Sequence, residues 1–494
     1  MDLSDGRVLL AVLLPAVAAL LVSVSGRRPN LRDSWSIVAA LAAFGVLAGL
    51  LPDVLAGREP STAVVTVAPG FALRLKADAF GLLFALLASA LWVVAAVYNV
   101  GYMRAEKETH QTSYYAWFAL CVSAALGIAL AANLVTLFIF YEVLTLATYP
   151  LVAHRRSGEA VGAGRKYLAY TLGGGQLLLV AVVATAMLAP GVEFRPGGFL
   201  AGTAPSTGLW LLFVLFIAGF GVKAAIMPLH AWLPAAMVAP TPVSALLHAV
   251  AVVKAGTFGC VRIAGWVFGP DLMRDLGADV ALAAAAAVTI LVASLRALGE
   301  QNLKRRLAYS TVSQLSYIVL GAGVGSPAAL AGAMFHMAAH GFMKITLFFC
   351  AGSLHAGAHK TEVPELAGIG RRMPVTMAAF TIGALGLAGT PAFAGFVSKW
   401  NLGLGSLDAG HGVLVAVLLA SGLLNAAYFF PIAYAAFFGG SGRVRFEEAS
   451  PALWVPLAAT AIVSVVLGLA PGAGLGFYDL AWRAAASVTG GAAP

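Results

Sequence analysis

Stretches of about 20 apolar residues, separated by short polar segments, recur along the whole chain. A helix of this length crosses the hydrocarbon core of a bilayer, whereas a strand of a membrane barrel needs only about ten residues. The pattern therefore predicts an all-α polytopic membrane protein with about fourteen transmembrane helices. The predicted spans cover residues 7–25, 35–52, 79–101, 114–131, 133–152, 167–189, 208–233, 242–266, 279–297, 303–323, 327–354, 374–402, 411–438 and 452–470.

The composition supports this architecture, because the chain is too apolar to face water. Charged residues make up 10% of it, whereas a soluble domain carries about 25%. The three cysteines, Cys121, Cys260 and Cys350, lie in apolar stretches, where we expect reduced packing residues. Three successive glycines at 173–175 are predicted to permit close helix packing. Because no metal-binding, haem or nucleotide-binding pattern occurs, neither a metal nor a cofactor is predicted.

Lysines and arginines are distributed unevenly between alternate loops. Odd-numbered loops contain Arg27, Arg28, Arg32, Arg104, Lys107, Arg155, Arg156, Arg165, Lys166, Lys304, Arg305, Arg306, Lys360, Arg371, Arg372, Arg443 and Arg445. Even-numbered loops and the termini contain fewer, namely Arg7, Arg58, Arg74, Lys76, Arg195, Arg262, Arg274 and Arg483. Because cytoplasmic loops are enriched in Lys and Arg, the odd-numbered loops are predicted to be cytoplasmic and both termini to lie on the outer side of the plasma or inner membrane. The net charge of +9 therefore needs no nucleic-acid partner.

Two pairs of similar segments indicate an internal repeat. Gly-Phe-Gly-Val-Lys at 219–223 in the seventh span resembles Gly-Phe-Val-Ser-Lys at 395–399 in the twelfth. Asn133 followed by leucine opens the fifth span, and Asn302 followed by leucine opens the tenth. Both matches join spans five positions apart. Because five is odd, the two copies would cross the membrane in opposite directions, as in an inverted-topology repeat.

Further positions support the same repeat. Glu142 lies nine residues after the first repeat asparagine, and Thr311 lies nine after the second. Pro228 and Pro391 are predicted to break the seventh and twelfth helices near the midplane, as helices do at ion sites of transporters. The predicted regions are 1–113 with three spans, 114–268 and 279–439 as the repeats, and 440–494 with the last span and a short amphipathic tail.

One acidic residue, Glu142, lies deep in a predicted span, together with four lysines. The lysines are Lys223, Lys254, Lys344 and Lys399. A charge at the bilayer centre costs about 2.5–3.5 kcal/mol on insertion scales, so these groups must pair, contact water or lose their charge. Burial lowers the pKa of a lysine and raises that of a glutamate, which brings both towards physiological pH. Because one acid cannot neutralise four lysines, the pattern favours a proton relay over static ion pairs between helices.

Three titratable residues share one face of the eleventh predicted span. His336, His340 and Lys344 are spaced four residues apart, and each step of four rotates the position by about 40°. Histidine titrates near neutral pH, so the row is predicted to conduct protons. Polar packing is the alternative, and a zinc site would need a third ligand that the sequence does not place nearby.

Two other histidines are predicted to support the relay. His248 lies six residues before Lys254 on a loosely opposed face, which makes Lys254 the stronger candidate. His230 lies near the cytoplasmic end of the seventh span, where it either admits protons or caps the helix. Asp78 opens the third span and is predicted to lie at the membrane interface.

Four segments resemble one protein family. They are Tyr-Glu-Val-Leu at 141–144, Lys-Ala-Ala-Ile-Met-Pro-Leu-His-Ala-Trp-Leu-Pro at 223–234, Ala-Pro-Thr-Pro-Val-Ser-Ala-Leu-Leu-His at 239–248 and Leu-Lys-Arg-Arg-Leu-Ala-Tyr-Ser-Thr-Val-Ser-Gln at 303–314. They resemble the antiporter-like subunits of respiratory complex I and of Mrp-type cation/proton antiporters, over nearly the whole chain. The resemblance implies fourteen core helices that contain two inverted five-helix repeats.

The resemblance also implies a role for each buried titratable group. Glu142 and Lys223 are implied to form a coupled pair, and Lys254 is implied to connect the two halves. The implied path to the other side of the membrane continues through His336, His340, Lys344 and Lys399.

Within the family, two features favour the D-type subunit of Mrp antiporters over the complex I subunits. These are the lysine at 399 and a short amphipathic tail at 477–488 after the last span. The expected function is therefore that of a proton-translocating subunit of a multi-subunit sodium/proton antiporter, a transporter subunit rather than an enzyme. A proton-pumping subunit of a redox complex, of the NADH:quinone oxidoreductase or membrane-bound hydrogenase type, is the alternative. The expected partners are other membrane subunits, lipid, protons and, in the antiporter, sodium.

Overall fold

Helices form nearly all of the computed structural model, which describes residues 5–68, 71–190, 192–440 and 447–491. The helices are α1 (Gly6–Val24), α2 (Pro29–Ala48), α3 (Leu51–Leu55), α4 (Ala79–Ala105), α5 (Gln111–Ala129), α6 (Leu134–Val152), α7 (Gly158–Leu188), α8 (Ser206–Ala224), α9 (Trp232–Ala235), α10 (Thr241–Ala245), α11 (Val252–Arg262), α12 (Pro270–Asp275), α13 (Ala278–Gly299), α14 (Leu303–Val324), α15 (Pro327–Ala358), α16 (Ile369–Arg372), α17 (Pro374–Ala388), α18 (Ala394–Asp408), α19 (Gly412–Phe438), α20 (Pro451–Leu469) and α21 (Phe477–Thr489).

Short irregular elements complete the described structure. The 3-10 turns are Ala236–Val238 and Val363–Leu366, and the π-helical turns are Leu246–Val250 and Ile263–Phe268. Strands β1 (Val65–Ala68) and β2 (Phe71–Leu73) form an antiparallel hairpin that pairs Val65 with Leu73 and Thr66 with Ala72. Arg443 and Arg445, which the sequence places in a cytoplasmic loop, lie outside the described residues.

The helices confirm the predicted polytopic membrane fold. Thirteen helical segments of the described residues are long and apolar enough to cross a membrane. They coincide with all the predicted spans except 374–402, which is divided into α17 and α18, each of 15 residues. Neither half is long enough to cross alone, so together they account for the remaining predicted crossing. The break lies at 389–393 and contains Pro391.

The seventh span is shorter than the predicted range 208–233. Helix α8 ends at Ala224, because Ala225 adopts a left-handed conformation with φ 56° and Pro228 follows without an amide hydrogen. The predicted break near Pro228 is therefore an end rather than a kink, since the chain passes through turns before the short helix α9 begins.

The helices that open the two predicted repeats begin in the same way. Asn133 caps α6 and Asn302 caps α14, each accepting a hydrogen bond from the amide three residues later. Asn133 also donates to Ala72 in the second loop, whereas Asn302 donates to Glu362 in the eleventh. The two helices therefore begin on opposite faces of the bundle, as an inverted repeat requires. The repeat boundaries themselves stay a prediction.

The helices that carry buried charge lie at the centre of the bundle. Helix α15 and the span Thr241–Phe268 are buried on all sides, and α14 is buried over nearly its whole length. Helices α1, α2 and α19 instead expose most of their apolar surface, as lipid-facing helices do. The amphipathic tail forms α21, whose apolar face packs against α15 and α4.

Asp78 and Arg262 form a buried ion pair, which corrects the predicted position of Arg262. Asp78 was expected at the interface and Arg262 was counted with the even-numbered loops, but Arg262 is fully buried. Its Nη2 lies 2.6 Å from Oδ1 of Asp78, which also caps α4 by accepting from the amide of Gly81. Burial alone would raise the pKa of Asp78, but the charge and the hydrogen bond of Arg262 hold that pKa below its usual range. The guanidinium is enclosed by Phe80, Phe194, Phe258 and Trp266.

We predict that Asp78→Asn lowers the free energy of unfolding by about 3–5 kcal/mol, because it leaves Arg262 as an uncompensated buried charge. Asparagine keeps an oxygen that can cap α4, so the change isolates the loss of charge. Unfolding of the purified protein in detergent measures the effect.

The matched control is Asp271→Asn. Its partner Arg274 is exposed, with 67% of the arginine and 94% of the aspartate side chain accessible, and exposed pairs contribute little. If both variants lose the same free energy of unfolding, burial of the Asp78–Arg262 pair does not contribute to stability.

Candidate functional site

The predicted titratable residues all lie within the helix bundle, at different depths. The fully buried ones are Lys223, Lys254, His336, His340 and Lys344. Glu142 and Lys399 are half-buried. Of the supporting residues, the buried ones are His248 and Thr311, while His230 is half-buried and Pro228 and Pro391 are exposed.

Lys223 lies in the last turn of α8, where its ammonium reaches α6. Its Nζ donates to the main-chain oxygen of Tyr141 at 2.7 Å and lies 3.3 Å from the centre of the Tyr141 ring. Glu142 interacts with the same charge through space, but no ion pair within 4.0 Å joins it to Lys223 in the described residues. The two residues implied to be coupled are therefore neighbours without a direct ion pair.

The carboxylate of Glu142 faces Gly175 of α7. A Cβ at position 175 would overlap Oε1, which has no hydrogen-bond partner among the described residues. A Cβ at Gly174 would lie 2.9 Å from Val222 of α8, whereas a Cβ at Gly173 would meet nothing within 4 Å. Gly174 thus serves the predicted close helix packing, and Gly175 leaves space for the carboxylate.

Gly256 brings the backbone of the α8 turn that carries Lys223 against the α11 turn that carries Lys254. A Cβ at this position in α11 would overlap the amide nitrogen of Ala224, the last residue of α8. Only glycine permits this approach without a clash. Because Lys223 precedes Ala224 and Lys254 is two residues before Gly256, the contact holds the two lysine-bearing turns together.

Lys254 links α11 to α15. Its Nζ donates to a main-chain oxygen of α15 at 2.9 Å and lies 2.9 Å from Nδ1 of His340. Because an ammonium has only donors, the imidazole nitrogen accepts this hydrogen bond. The preceding turn, Leu246–Val250, is π-helical, an irregularity that is frequent at functional sites. His248 in this turn packs against the ring of Phe348 at 4.6 Å and does not join the Lys254–His340 contact.

The three titratable residues of α15 contact three different helices. His340 faces α11, as described above. Nδ1 of His336 lies 2.8 Å from Oγ of Ser398 in α18. Nζ of Lys344 donates to Oγ of Ser310 in α14 at 2.9 Å. The rotation of about 40° per step turns each side chain towards a different neighbour, while the ring centres of the two histidines remain 6.0 Å apart.

Lys399 occupies the break between α17 and α18. Its Nζ donates to the main-chain oxygens of Leu387 at 2.6 Å and Ala388 at 3.3 Å. These are the last residues of α17, whose carbonyls have no partner within the helix and carry partial negative charge. The broken helix therefore creates an acceptor site for the ammonium, with the Tyr317 ring centre at 4.9 Å.

A cavity of about 900 Å³ opens on the face of the odd-numbered loops. His230 lines it, together with Lys304, Tyr309 and His355. Nδ1 of His230 has no partner in the described part of the chain, and α8 ends six residues earlier, so the side chain does not cap that helix. Burial lowers the pKa of His230, which favours its neutral imidazole form.

A second cavity, of about 480 Å³, opens on the opposite face. Its lining includes Asp279, Gly325, Asp408 and His411. Helix α18, which carries Lys399, ends at Asp408. The buried titratable residues therefore lie between cavities on the two faces. Within the described ranges, no three His, Cys, Asp or Glu side chains are arranged to hold a metal ion.

The sequence missed several neutral partners of the charged groups. Thr311, the predicted repeat counterpart of Glu142, donates to Leu307 of its own helix at 2.9 Å, and the adjacent Ser310 contacts Lys344 instead. Ser398 was likewise not singled out. A survey of serine, asparagine and tyrosine in the predicted spans would have included both serines, but spacing alone could not show which of them face a charge.

Residues 131–424 match the family described as NADH:quinone oxidoreductase/Mrp antiporter, TM. The chain is 35% identical over 467 residues to NADH-quinone oxidoreductase subunit N of Desulforudis audaxviator, which covers 88% of this chain and 89% of that protein. It is 29% identical to Na(+)/H(+) antiporter subunit A1 of Staphylococcus aureus, with 79% of this chain and 50% of that protein covered. The chain therefore belongs to the NADH:quinone oxidoreductase/Mrp antiporter transmembrane family, as the four sequence segments indicated.

The fold agrees with this assignment. A chain in the structure of the Mrp complex from Dietzia sp. superposes with a TM-score of 0.87 at 24% identity, covering 99% of this chain and 98% of that one. This likeness shows that the two chains share their fold over nearly their whole length.

We predict that Gly175→Ala leaves the protein folded in the membrane but reduces proton movement by about tenfold or more. The added methyl group displaces the Glu142 carboxylate, and a misplacement of about 1 Å can cost two orders of magnitude in rate. Proton movement in membrane vesicles, normalised to the amount of inserted protein, measures the effect.

Gly173→Ala is the matched control, because it makes the same change in the same helix with no atom in the way. We expect normal transport from it. A Gly175→Ala variant that transports as well as Gly173→Ala would show that the position of Glu142 is not important.

Proposed function

We propose that this chain is the proton-translocating subunit of a multi-subunit membrane complex. The observation that supports this proposal is that the four lysines of the predicted relay have no carboxylate partner within ion-pair distance. Each donates to a main-chain oxygen of another helix, and no ion pair within 4.0 Å involves any of them in the described residues. The four are Lys223, Lys254, Lys344 and Lys399. A lysine held by neutral acceptors can lose its proton without leaving an unpaired carboxylate, which favours the relay over static ion pairs.

The proposed path begins at the cavity beside His230 and passes through the Lys254–His340 hydrogen bond. Transfer of one proton from Nζ of Lys254 to Nδ1 of His340 neutralises the lysine and charges the histidine. His336 and Lys344 lie one helical turn away on either side, so the charge can then move along α15. Lys399, on the helix whose end lines the second cavity, is the proposed last carrier.

Electrostatic repulsion couples the proposed path to Glu142 and Lys223. Gly256 holds the turns of Lys223 and Lys254 together, so a proton gained by Lys254 raises the cost of the charge on Lys223. Lys223 then moves closer to Glu142, and the reverse movement pushes the proton on Lys254 towards the far side. Like charges in a low-dielectric interior repel strongly enough to drive such a step.

We further propose that the complex is a sodium/proton antiporter of the Mrp type, in which this chain is the D-type subunit. The lysine at 399 and the similarity to an antiporter subunit of Staphylococcus aureus support this assignment. Its proposed location is the cell membrane, with the odd-numbered loops in the cytoplasm and both termini outside. A redox complex is the second candidate, because the identity to a NADH-quinone oxidoreductase subunit N extends over nearly the whole of both chains.

We predict that Lys223→Ala and Glu142→Ala each abolish proton movement while the protein still inserts into the membrane. Each removes one charge of the pair that modulates Lys254, so protons are no longer driven along α15. A pH-sensitive dye in inverted vesicles that contain the whole complex measures the rate.

Lys107→Ala serves as the control, because Lys107 is an exposed lysine in the third loop. It should transport normally. Normal proton movement in vesicles with Lys223→Ala or Glu142→Ala would refute the proposed function.

We expect an imposed sodium gradient to move protons in vesicles that contain the native complex, without any electron donor. An antiporter needs only the cation gradient, whereas a redox pump needs electron transfer by partner chains. Purification of the complex under mild conditions identifies those partners. Proton movement that requires NADH or another electron donor, together with iron–sulfur partner subunits, would favour the redox complex instead.

A further inference from the structure

A neutral hydroxyl connects Lys344 to the lipid-facing helix α19. Ser310, which accepts from Nζ of Lys344 at 2.9 Å, lies 3.0 Å from the hydroxyl oxygen of Tyr428. Both Ser310 and Tyr428 are buried. Because a hydroxyl can accept one hydrogen bond and donate another, Ser310 can accept from the ammonium and donate to Tyr428.

The same series of hydrogen bonds continues to Lys399. The Tyr428 hydroxyl donates to Oδ1 of Asn425, one turn earlier in α19. Nδ2 of Asn425 donates to the main-chain oxygen of Leu387 at 3.4 Å. That oxygen also accepts from Nζ of Lys399 at 2.6 Å. Lys344 and Lys399 are therefore joined by an unbroken series of hydrogen bonds that runs through α19.

Within the predicted repeat, this series of hydrogen bonds lies where the first half of the chain carries Lys254. Helix α19 is the thirteenth span, and five spans earlier is the eighth, which carries Lys254. In the first half, a lysine in that span connects to α15 directly. In the second half, the corresponding span offers two neutral side chains, Tyr428 and Asn425, which reach α15 through Ser310.

We propose that Tyr428 and Asn425 are positioning residues that couple the protonation and position of Lys344 to those of Lys399. This inference rests on the proposed proton-translocating function. An amide does not relay a proton, so the pair acts by orientation. While Lys399 holds the oxygen of Leu387, Asn425 shares that acceptor. When Lys399 loses its proton or moves away, the hydrogen bond from Asn425 to the Leu387 oxygen becomes stronger. Tyr428 and Ser310 then reorient next to Lys344.

The groups around Lys344 determine how a change in the pH dependence of proton movement can be interpreted. Besides Ser310, the charged or titratable groups that act on it are Lys254 and His248 from the eighth span and His336 and His340 from its own helix. The Phe429 ring lies 5.8 Å away. All of these stay in place when the Tyr428 hydroxyl is removed, so a shifted profile reports the Ser310–Tyr428 contact.

The test uses Tyr428→Phe and Asn425→Ala in vesicles that contain the whole complex, with proton movement measured across a range of pH. We expect each variant to lower the rate by about tenfold, the upper end of the effect of losing one neutral hydrogen bond. The alkaline limb of the profile should also move down by about one pH unit, because the Lys344 ammonium loses support. The double variant should be no worse than either single one, since both break the same series.

Tyr98→Phe is the matched control. Tyr98 is also buried and donates one hydrogen bond to α15, to the main-chain oxygen of Phe349 at 2.8 Å, but it does not contact Ser310 or Asn425. It should keep the rate and the pH profile of the native chain.

Three results would overturn the inference. They are an unchanged rate in both variants, a reduced rate without a pH shift, and an equal effect of Tyr98→Phe. A parallel Lys223→Ala sample separates this inference from the proposed function. If Lys223→Ala abolishes transport while the Tyr428 and Asn425 variants are normal, only the inference fails. If Lys223→Ala transports normally, the proposed function itself fails.

Discussion

Placing ammonium groups in the interior of a membrane protein is the constraint on which the rest of this structure depends. Each buried lysine carries a desolvation cost of about 2.5–3.5 kcal/mol on insertion scales, while a hydrogen bond to a charged group contributes about 1.5–3 kcal/mol. One good acceptor therefore offsets most of the cost, and a carboxylate is not required. The structure supplies main-chain oxygens for this purpose, since a helical carbonyl can accept a second hydrogen bond.

Three of the four lysines lie at or beside an irregular segment of the bundle, and one of these segments supplies the acceptors. Lys399 is satisfied because α17 stops at Ala388 and leaves its last carbonyls open. Lys223 lies where α8 ends, and Lys254 follows a π-helical turn. Regular helices direct their polar groups along their own axes, whereas a break exposes them to a neighbour. The break after α17 is thus a place where the charge of Lys399 can be held, whereas Lys223, Lys254 and Lys344 donate to main-chain oxygens within α6, α15 and α14.

Glycines determine how closely the charged turns approach one another. Gly256 lets α8 and α11 touch, and Gly175 leaves space for the Glu142 carboxylate beside α7. Both are buried contacts in which an added methyl group would meet another atom, unlike Gly173. The packing of the bundle and the position of its charges are therefore set by the same residues, so a small change in packing at these glycines moves a charge.

The sequence by itself determined the membrane fold, the number of crossings, the break at Pro391 and the identity of the charged residues, because hydrophobic length and isolated charges are local features. It also showed the row on α15, since helical spacing is fixed. Only the tertiary structure decided which neighbour each charge meets. Asp78 and Arg262 are far apart in sequence, and only the packing of α4 against α11 shows that they form an ion pair. Ser310, Asn425 and Tyr428 are ordinary polar residues in their own helices. Their proposed positioning role arises because α14, α15 and α19 meet in one place. The residue spacing within one helix does not show which distant helix it contacts.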